Sequence, residues 1–259
     1  MKACAWPLIR RALMIHLPIV VCLALGQWHA ALIALVITSL VMTYGTLSPA
    51  TQLFGPVTTH LPGQGVLITL DDGPDPESTP ALLDLLDGYE AKAVFFLIGD
   101  RVRQWPDLAR EIAARGHGIG NHSQTHPAAT FWSLGPWRMW REIRGCQQTL
   151  AQEMGASPVW FRAPVGHYNA WVHPALQALG LRMMSWSCRG YDGTDRRVER
   201  VLERIRQDLK PGAIVLLHEA VPHSATVVEG VLKELRARGL KPVPLPEALP
   251  AAALQSGDC

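Results

Sequence analysis

Residues 67–74 place a short apolar segment directly before two adjacent carboxylates, in the order Leu-Ile-Thr-Leu-Asp-Asp-Gly-Pro. An apolar segment without polar alternation is typical of a strand buried on both faces of a parallel sheet, and Gly73-Pro74 forces a turn after it. Asp71 and Asp72 therefore lie at a strand's carboxyl end, where parallel α/β folds collect functional groups. Adjacent carboxylates repel each other, so the pair indicates a bound cation or acid–base chemistry. A solvated Asp-Gly-Pro turn is the structural alternative.

Strand-like and helix-like segments alternate from residue 66 onwards, a pattern typical of a parallel sheet with crossover helices. We predict strands at residues 66–71, 92–98, 117–120, 159–163, 182–186, 213–218 and 241–243. Seven strand–helix units favour an α/β barrel over an open sheet, and 259 residues suffice for one such domain. The net charge of +2 and the interleaved Arg and acidic residues exclude a basic nucleic-acid-binding stripe. Five scattered cysteines indicate no disulfide framework.

The N-terminus is strongly apolar and differs in kind from the rest of the chain. Lys2, Arg10 and Arg11 precede apolar residues 12–25, and after a polar interruption the apolar sequence continues over residues 30–47. The second run is about as long as a bilayer is thick, so we predict a membrane hairpin of two transmembrane helices. A single bent or re-entrant anchor is the alternative, and the first run is also compatible with a signal peptide.

The same anchor predicts where the domain lies relative to a bacterial-type inner membrane. With the basic residues cytoplasmic, two spans return the chain to the cytoplasm, whereas one span places the domain outside. The Pro- and Gly-rich residues 48–65 are predicted to form a linker. We assign residues 1–47 to the anchor, 66–247 to the folded domain and 248–259 to a C-terminal tail.

Two histidines follow the third predicted strand within Gly-His-Gly-Ile-Gly-Asn-His-Ser-Gln-Thr-His-Pro, residues 116–127. His122 and His126 are four residues apart, so one helical turn would place both imidazoles on the same side to bind one ion. With Asp72 they form a predicted three-ligand site that leaves a position open for water. We expect a divalent metal ion there, Zn²⁺ first, with Co²⁺ or another divalent ion as the alternative. Taken alone, the pair also fits ordinary core or surface histidines.

Three further polar residues follow later predicted strands. Arg162, Asp192 and His218 each come at or just after an apolar segment, at positions equivalent to that of the Asp pair. Singly, each has a structural explanation: a surface ion pair, a turn former and a core histidine. Because the carboxyl ends of parallel strands meet at one edge, their common placement predicts a shared site.

Five motifs in this order resemble the polysaccharide deacetylases, the NodB-homology or carbohydrate esterase family 4 domain. They are Leu-Asp-Asp-Gly-Pro, Asn-His-Ser-x-x-His-Pro, Arg-x-Pro-x-Gly, Trp-Ser-x-x-x-x-Asp and Ile-Val-Leu-Leu-His. The similarity covers about residues 66–243 and leaves out the apolar N-terminus. It implies a distorted (β/α)7 barrel and a hydrolase of carbon–nitrogen bonds that releases an acyl group from a sugar.

The resemblance also implies a role for each motif residue. It makes Asp71 the general base and His218 the general acid. Arg162 would position the base, Asp192 would orient the acid, and the main-chain N–H of Val165 would stabilise the oxyanion. The implied ligands of the divalent metal are Asp72, His122 and His126.

The sequence departs from the family pattern at three substrate-contacting positions. Val165 stands where many relatives have Tyr, Arg189 where the fourth motif often has Asp, and Gly193 where a Trp often follows Asp192. These departures leave the reacting groups in place and argue against an ordinary extended polysaccharide as substrate.

We therefore expect a membrane-anchored, metal-dependent hydrolase. It would remove an acetyl or related acyl group from an N-acetylated amino sugar or a lipid-linked envelope glycan precursor. The alternatives are an O-acetyl esterase, an N-deformylase, or a non-hydrolytic glycan-binding membrane module, which the intact ligand set argues against. The expected partners are the carbohydrate substrate and the membrane, without nucleic acid.

Overall fold

Eight strands paired in parallel form one sheet in the computed structural model, which describes residues 16–155 and 157–245. In chain order they are β1 (Val57–Thr58), β2 (Leu67–Gly73), β3 (Ala93–Leu97), β4 (Gly118–Asn121), β5 (Trp160–Phe161), β6 (Arg182–Met184), β7 (Cys188–Arg189) and β8 (Ile214–His218). Across the sheet the order is β1-β6-β5-β4-β3-β2-β8-β7. The predicted α/β class and parallel sheet are confirmed.

The predicted barrel closure is wrong, because the sheet is a curled half-barrel. Its edge strands β1 and β7 are each two residues long, and within the described residues they do not pair with each other. Two residues in each edge strand offer too few backbone hydrogen-bonding groups to join the two edges and close the sheet into a barrel. β1 lies inside the segment predicted as a linker, and neither edge strand was predicted. The strand predicted at residues 241–243 is a single bridge from Pro242 to Val66, since proline has no N–H to donate.

Helices cover the outer face of the sheet, and an apolar helix precedes it. They are α1 (Trp28–Leu47), α2 (Thr79–Gly88), α3 (Gly99–Gln104), α4 (Pro106–Ala114), α5 (Pro136–Met154), α6 (Val172–Ala178), α7 (Val198–Asp208) and α8 (Ser224–Ala237). Side chains of a strand alternate between faces. Accordingly, Ile68 and Leu70 pack in the large outer core, whereas Leu67 and Phe96 pack in a smaller core on the concave side.

The predicted membrane hairpin is corrected to one apolar helix. Within the described residues, α1 is the helix that is long and apolar enough to cross a bilayer. Residues 16–24 are helical too, but Gly26 adopts a left-handed φ of 70° and interrupts the chain before α1. The described part of this helix, nine residues, rises about 14 Å, roughly half of a bilayer's apolar thickness. The start of the first predicted span, residues 12–15, lies outside the described residues.

The carboxyl end of α1 packs directly against the domain. Gly45 is buried, and a Cβ there would clash with Leu53, so the absence of a side chain permits this close approach. The carbonyl of Thr46 accepts a hydrogen bond of 3.3 Å from the N–H of Tyr168, whose hydroxyl donates to the carbonyl of Thr51 at 3.0 Å. The apolar helix is therefore joined to the domain by specific contacts.

Candidate active site

Both carboxylates at the end of β2 face the same cavity, although neighbouring residues of a regular strand face opposite sides. Asp71 shares the concave face with Leu67 and Thr69, as alternation requires. Asp72 has a left-handed φ of 74°, and the pairing of β2 with β3 shifts its register between Asp71 and Gly73. This irregularity turns Asp72 back towards the cavity.

Arg162 holds Asp71 in place from behind. Its side chain is only 1% exposed, and one terminal nitrogen donates to Asp71 Oδ1 and to Thr69 Oγ1, each at 2.7 Å. The other terminal nitrogen donates to the carbonyl of Ser185 at 2.9 Å. Burial of an ion pair requires such complete hydrogen bonding, and the result is a carboxylate with one fixed orientation.

The three predicted metal ligands converge at the centre of the site. Each of Asp72, His122 and His126 offers one donor atom, and these atoms all lie within 4.8 Å of one another. Asp72 Oδ1 is 3.4 Å from His122 Nε2 and 3.2 Å from His126 Nε2. This oxygen is buried and has no hydrogen-bond partner among the described residues. An uncompensated buried carboxylate oxygen facing two imidazole nitrogens fits a divalent cation.

The two imidazoles meet through a loop instead of the predicted helical turn. Ser123 and His126 have left-handed φ values of 68° and 51°, which fold the loop so that the rings of His122 and His126 lie 4.8 Å apart. His122 Nδ1 lies 2.9 Å from the carbonyl of Arg162. A proton on Nδ1 donates to that carbonyl and leaves Nε2 free as a ligand atom.

Two of the three candidate ligands, Asp72 and His126, have the protonation state that suits metal binding. Burial, followed by the charge of His122, lowers the pKa of His126 to about 4, so its imidazole is neutral at pH 7. Burial alone would raise the pKa of Asp72, but the facing His122 and His126 outweigh it and lower that pKa below its ordinary value. Burial lowers the pKa of His122, but Asp71 and Asp72 outweigh it and raise that pKa. Ionised Asp72 and neutral His126 are therefore in the forms that bind a metal, whereas a metal ion would displace a proton from His122.

His218 lies across the cavity at the end of β8, where Asp192 fixes it. Asp192 is buried; its Oδ1 lies 3.0 Å from His218 Nδ1, and its Oδ2 accepts the His218 main-chain N–H at 2.7 Å. Burial lowers the pKa of His218, but Asp192, Asp71 and Asp72 outweigh it and raise that pKa to about 9. His218 is thus a protonated imidazole at pH 7 and can donate a proton.

The cavity between these groups has a volume of about 340 Å³. Val165 lies at its edge with a left-handed φ of 51°. The predicted site residues that line the cavity are Asp71, Asp72, His122, His126, Val165, Asp192 and His218. Arg162 reaches the cavity only through Asp71, so the structure assembles all eight predicted residues at one site.

Some supporting residues were not predicted. Thr69 and Ser185 share the hydrogen bonds of Arg162, and His223 Nε2 lies 3.1 Å from the carbonyl of Asp192. Thr69 could have been found, since it is two residues before Asp71 and therefore on the same face of the strand. Ser185 and His223 depend on contacts between distant segments, for which the sequence carries no signal.

Comparison with known proteins identifies the family. A family model described as polysaccharide deacetylase matches residues 59–184. Chitooligosaccharide deacetylase of Azorhizobium caulinodans is 32% identical over 196 residues, which cover 70% of this chain and 92% of that protein. Peptidoglycan-N-acetylglucosamine deacetylase of Bacillus cereus is 33% identical over 189 residues, covering 71% of this chain and 87% of that protein.

Solved structures agree with the sequence comparison. A family 4 carbohydrate esterase from Streptomyces lividans, solved with acetate, superposes with a TM-score of 0.64 at 30% identity, covering 70% of this chain and 92% of that one. The chain therefore belongs to the polysaccharide deacetylase family, carbohydrate esterase family 4, and is a hydrolase of the deacetylase type.

Proposed function

We propose that the chain is a membrane-anchored, metal-dependent deacetylase that removes an acetyl group from an N-acetylated amino sugar. The observation that carries this proposal is the convergence of Asp72, His122 and His126 within 4.8 Å, next to the fixed carboxylate of Asp71. His122 Nε2 lies 3.7 Å from Asp71 Oδ2, so a proton acceptor adjoins the metal ligands.

The residues divide the reaction between them. Asp72, His122 and His126 would hold a divalent ion, which when bound would supply Lewis-acid activation for the hydrolysis. Asp71 accepts the proton of the attacking water, and the Val165 N–H donates to the developing oxyanion. His218 then donates its proton to the leaving nitrogen, while Asp192 keeps the imidazole oriented. Acetate and a free amino sugar are the products.

The named relatives support an N-acetylglucosamine-type substrate, since one acts on chitooligosaccharides and another on peptidoglycan N-acetylglucosamine. The test is release of acetate from N-acetylated oligosaccharides by the Zn²⁺- or Co²⁺-loaded protein. Matched N-formyl and O-acetyl analogues separate the deformylase and esterase alternatives. Preferred formate release, or preferred cleavage of the ester, would contradict N-deacetylation. Binding of every substrate without release of acid would favour the glycan-binding module.

We further propose that α1 is a retained anchor and not a cleaved signal. The support is its packing: Met42 contributes to an apolar core of the domain, and a Cβ on Gly166, next to Val165, would touch Pro49 just beyond the helix. The cavity edge is thus adjacent to the point where the chain leaves the membrane. This placement favours a substrate held at the bilayer surface, such as a lipid-linked glycan precursor.

The anchor predicts the side of the membrane. With one span and Lys2, Arg10 and Arg11 in the cytoplasm, the domain lies outside. A C-terminal alkaline phosphatase fusion is expected to be active, and a C-terminal fluorescent protein that matures only in the cytoplasm is expected to be dark. Deleting residues 28–47 should reverse both signals. A bright cytoplasmic fusion of the full chain would contradict the single anchor.

The pKa of His218 predicts a pH dependence. The protonated imidazole is the active form, so acetate release is expected to fall as the pH rises through about 9. Asp192→Asn removes the carboxylate that raises this pKa. The pH at which activity falls on the alkaline side, the alkaline limb of the profile, should therefore move towards 6.5, the ordinary pKa of histidine. The measurement is kcat/KM across the alkaline range. Asp195→Asn is the control, because it removes a nearby carboxylate whose ion pairs are with Arg197 and Arg204 instead of His218. An unchanged limb in Asp192→Asn would contradict the assignment of His218 as the acid.

A further inference from the structure

The charged groups that line the cavity are almost all paired within the site. Asp71 pairs with Arg162, Asp192 pairs with His218, and Asp72 faces His122 and His126. Arg189 also lines the cavity, and among the described residues no carboxylate lies within ion-pair distance of it. The site therefore contains one cation whose charge the protein leaves uncompensated within those residues.

Aromatic rings hold the Arg189 side chain. Its guanidinium carbon lies 3.6 Å from the ring centre of Tyr191 and 5.4 Å from that of Trp186. Tyr191 adopts a left-handed φ of 63°, a conformation that a bulky residue keeps only where the surrounding structure imposes it. Arg189 Nε is buried and has no hydrogen-bond partner among the described residues. Its guanidinium is thus preorganised, with a donor still available.

Strand register places this cation close to the reacting centre. Arg189 pairs with Leu216 on β8, two residues before His218. Strands lie about 4.8 Å apart and two residues rise roughly 6.6 Å, so the Cα atoms of Arg189 and His218 are about 8 Å apart. A group bound by Arg189 would belong to the sugar that is deacetylated or to its immediate neighbour.

We propose that Arg189 selects an acylated amino sugar that carries an anionic substituent, a phosphate or a carboxylate. This inference rests on the proposed deacetylase function and specifies its substrate. A guanidinium forms two parallel hydrogen bonds with either anion, and stacking on Tyr191 leaves its edge free to do so. A neutral sugar would leave the guanidinium charge and the buried Nε of Arg189 without a partner. The free-energy cost of this unpaired group is what would favour the anionic sugar over the neutral one.

The test compares matched sugars with and without the anion. We expect higher kcat/KM for N-acetylglucosamine 1-phosphate or N-acetylmuramic acid than for N-acetylglucosamine, and the better anionic probe distinguishes phosphate from carboxylate. Arg189→Gln should lower the anionic-to-neutral ratio by about 10- to 100-fold, the range expected for charge-assisted hydrogen bonds. The anionic-to-neutral ratio of Arg189→Lys should lie between those of the unmodified protein and Arg189→Gln, because lysine keeps the positive charge but lacks the planar guanidinium.

Arg200→Gln is the control, because it removes the same charge from an exposed position on α7. Calorimetric dissociation constants for the three sugars give the same ratio without turnover. If no sugar releases acetate but Arg189→Gln still abolishes preferential binding of the anion, the deacetylase proposal fails and the anion specificity stands. Equal binding of charged and neutral sugars, or a preference that survives in Arg189→Gln, would overturn the role of Arg189.

Discussion

Asp71→Asn is expected to lower acetate release by roughly 10²- to 10⁴-fold, the usual contribution of a positioned general base. The substitution is nearly isosteric, and the amide oxygen can still accept the hydrogen bond that Arg162 donates at 2.7 Å. It removes the one function that an amide cannot supply, which is to accept the proton of the attacking water. The measurement is kcat/KM for acetate release at saturating metal.

Two controls separate this effect from misfolding. Metal content should remain at the level of the unmodified protein, because Asp72, His122 and His126 are unchanged. Asp107→Asn alters a carboxylate that is 94% exposed and should leave turnover unchanged. Turnover by Asp71→Asn within a few-fold of the unmodified protein would rule out Asp71 as the base, and would favour a water activated by the metal alone.

His126→Ala is expected to abolish tight metal binding and to reduce acetate release further than the ~10- to 100-fold that loss of a supporting contact around a metal costs. Only Asp72 and His122 would remain as ligands. Metal content after dialysis is the primary measurement. In the unmodified protein, metal at 100 times its dissociation constant should stabilise the fold by about 2.7 kcal/mol, and His126→Ala should lose this stabilisation.

The chain offers a matched control for this variant. His117 is a buried histidine outside the cavity, and its Nδ1 accepts the main-chain N–H of Ala93 at 3.2 Å. His117→Gln should affect stability without changing metal content. Full metal occupancy in His126→Ala would show that the ion binds elsewhere, and would contradict the three-ligand assignment.

The strand-end residues were predictable because two local rules are enough to place them. An apolar segment followed by polar residues identifies a buried strand, and parallel strands bring their carboxyl ends together. Asp71, Asp72, His122, Arg162 and His218 follow from these rules. The metal site was predictable in composition but not in conformation, since left-handed turns at Ser123 and His126, instead of a helix, join the imidazoles.

The edge strands and the apolar N-terminus were harder to predict for physical reasons. β1 and β7 contain two residues each, too few to show any periodicity, and β1 is surrounded by Pro and Gly residues. Hydropathy measured the apolar length of the N-terminus but not the break at Gly26. A hairpin was therefore predicted where the described residues contain one helix that is long and apolar enough to cross a bilayer. Arg189 was recognised only as a departure from the family, because the absence of an ion-pair partner for it within the described part of the chain depends on the tertiary structure.

Arg162 contacts both the proposed base, Asp71, and a candidate metal ligand, His122. Its guanidinium fixes Asp71, and its main-chain carbonyl faces His122 Nδ1 at 2.9 Å. Its own N–H donates to the carbonyl of Asn121, the residue before His122. The spacing between the proposed proton acceptor Asp71 and the candidate ligand His122 is therefore set by the pairing of β4 with β5. The groups proposed for proton transfer and for metal binding therefore share one structural support. Their relative positions can change only if the sheet itself deforms.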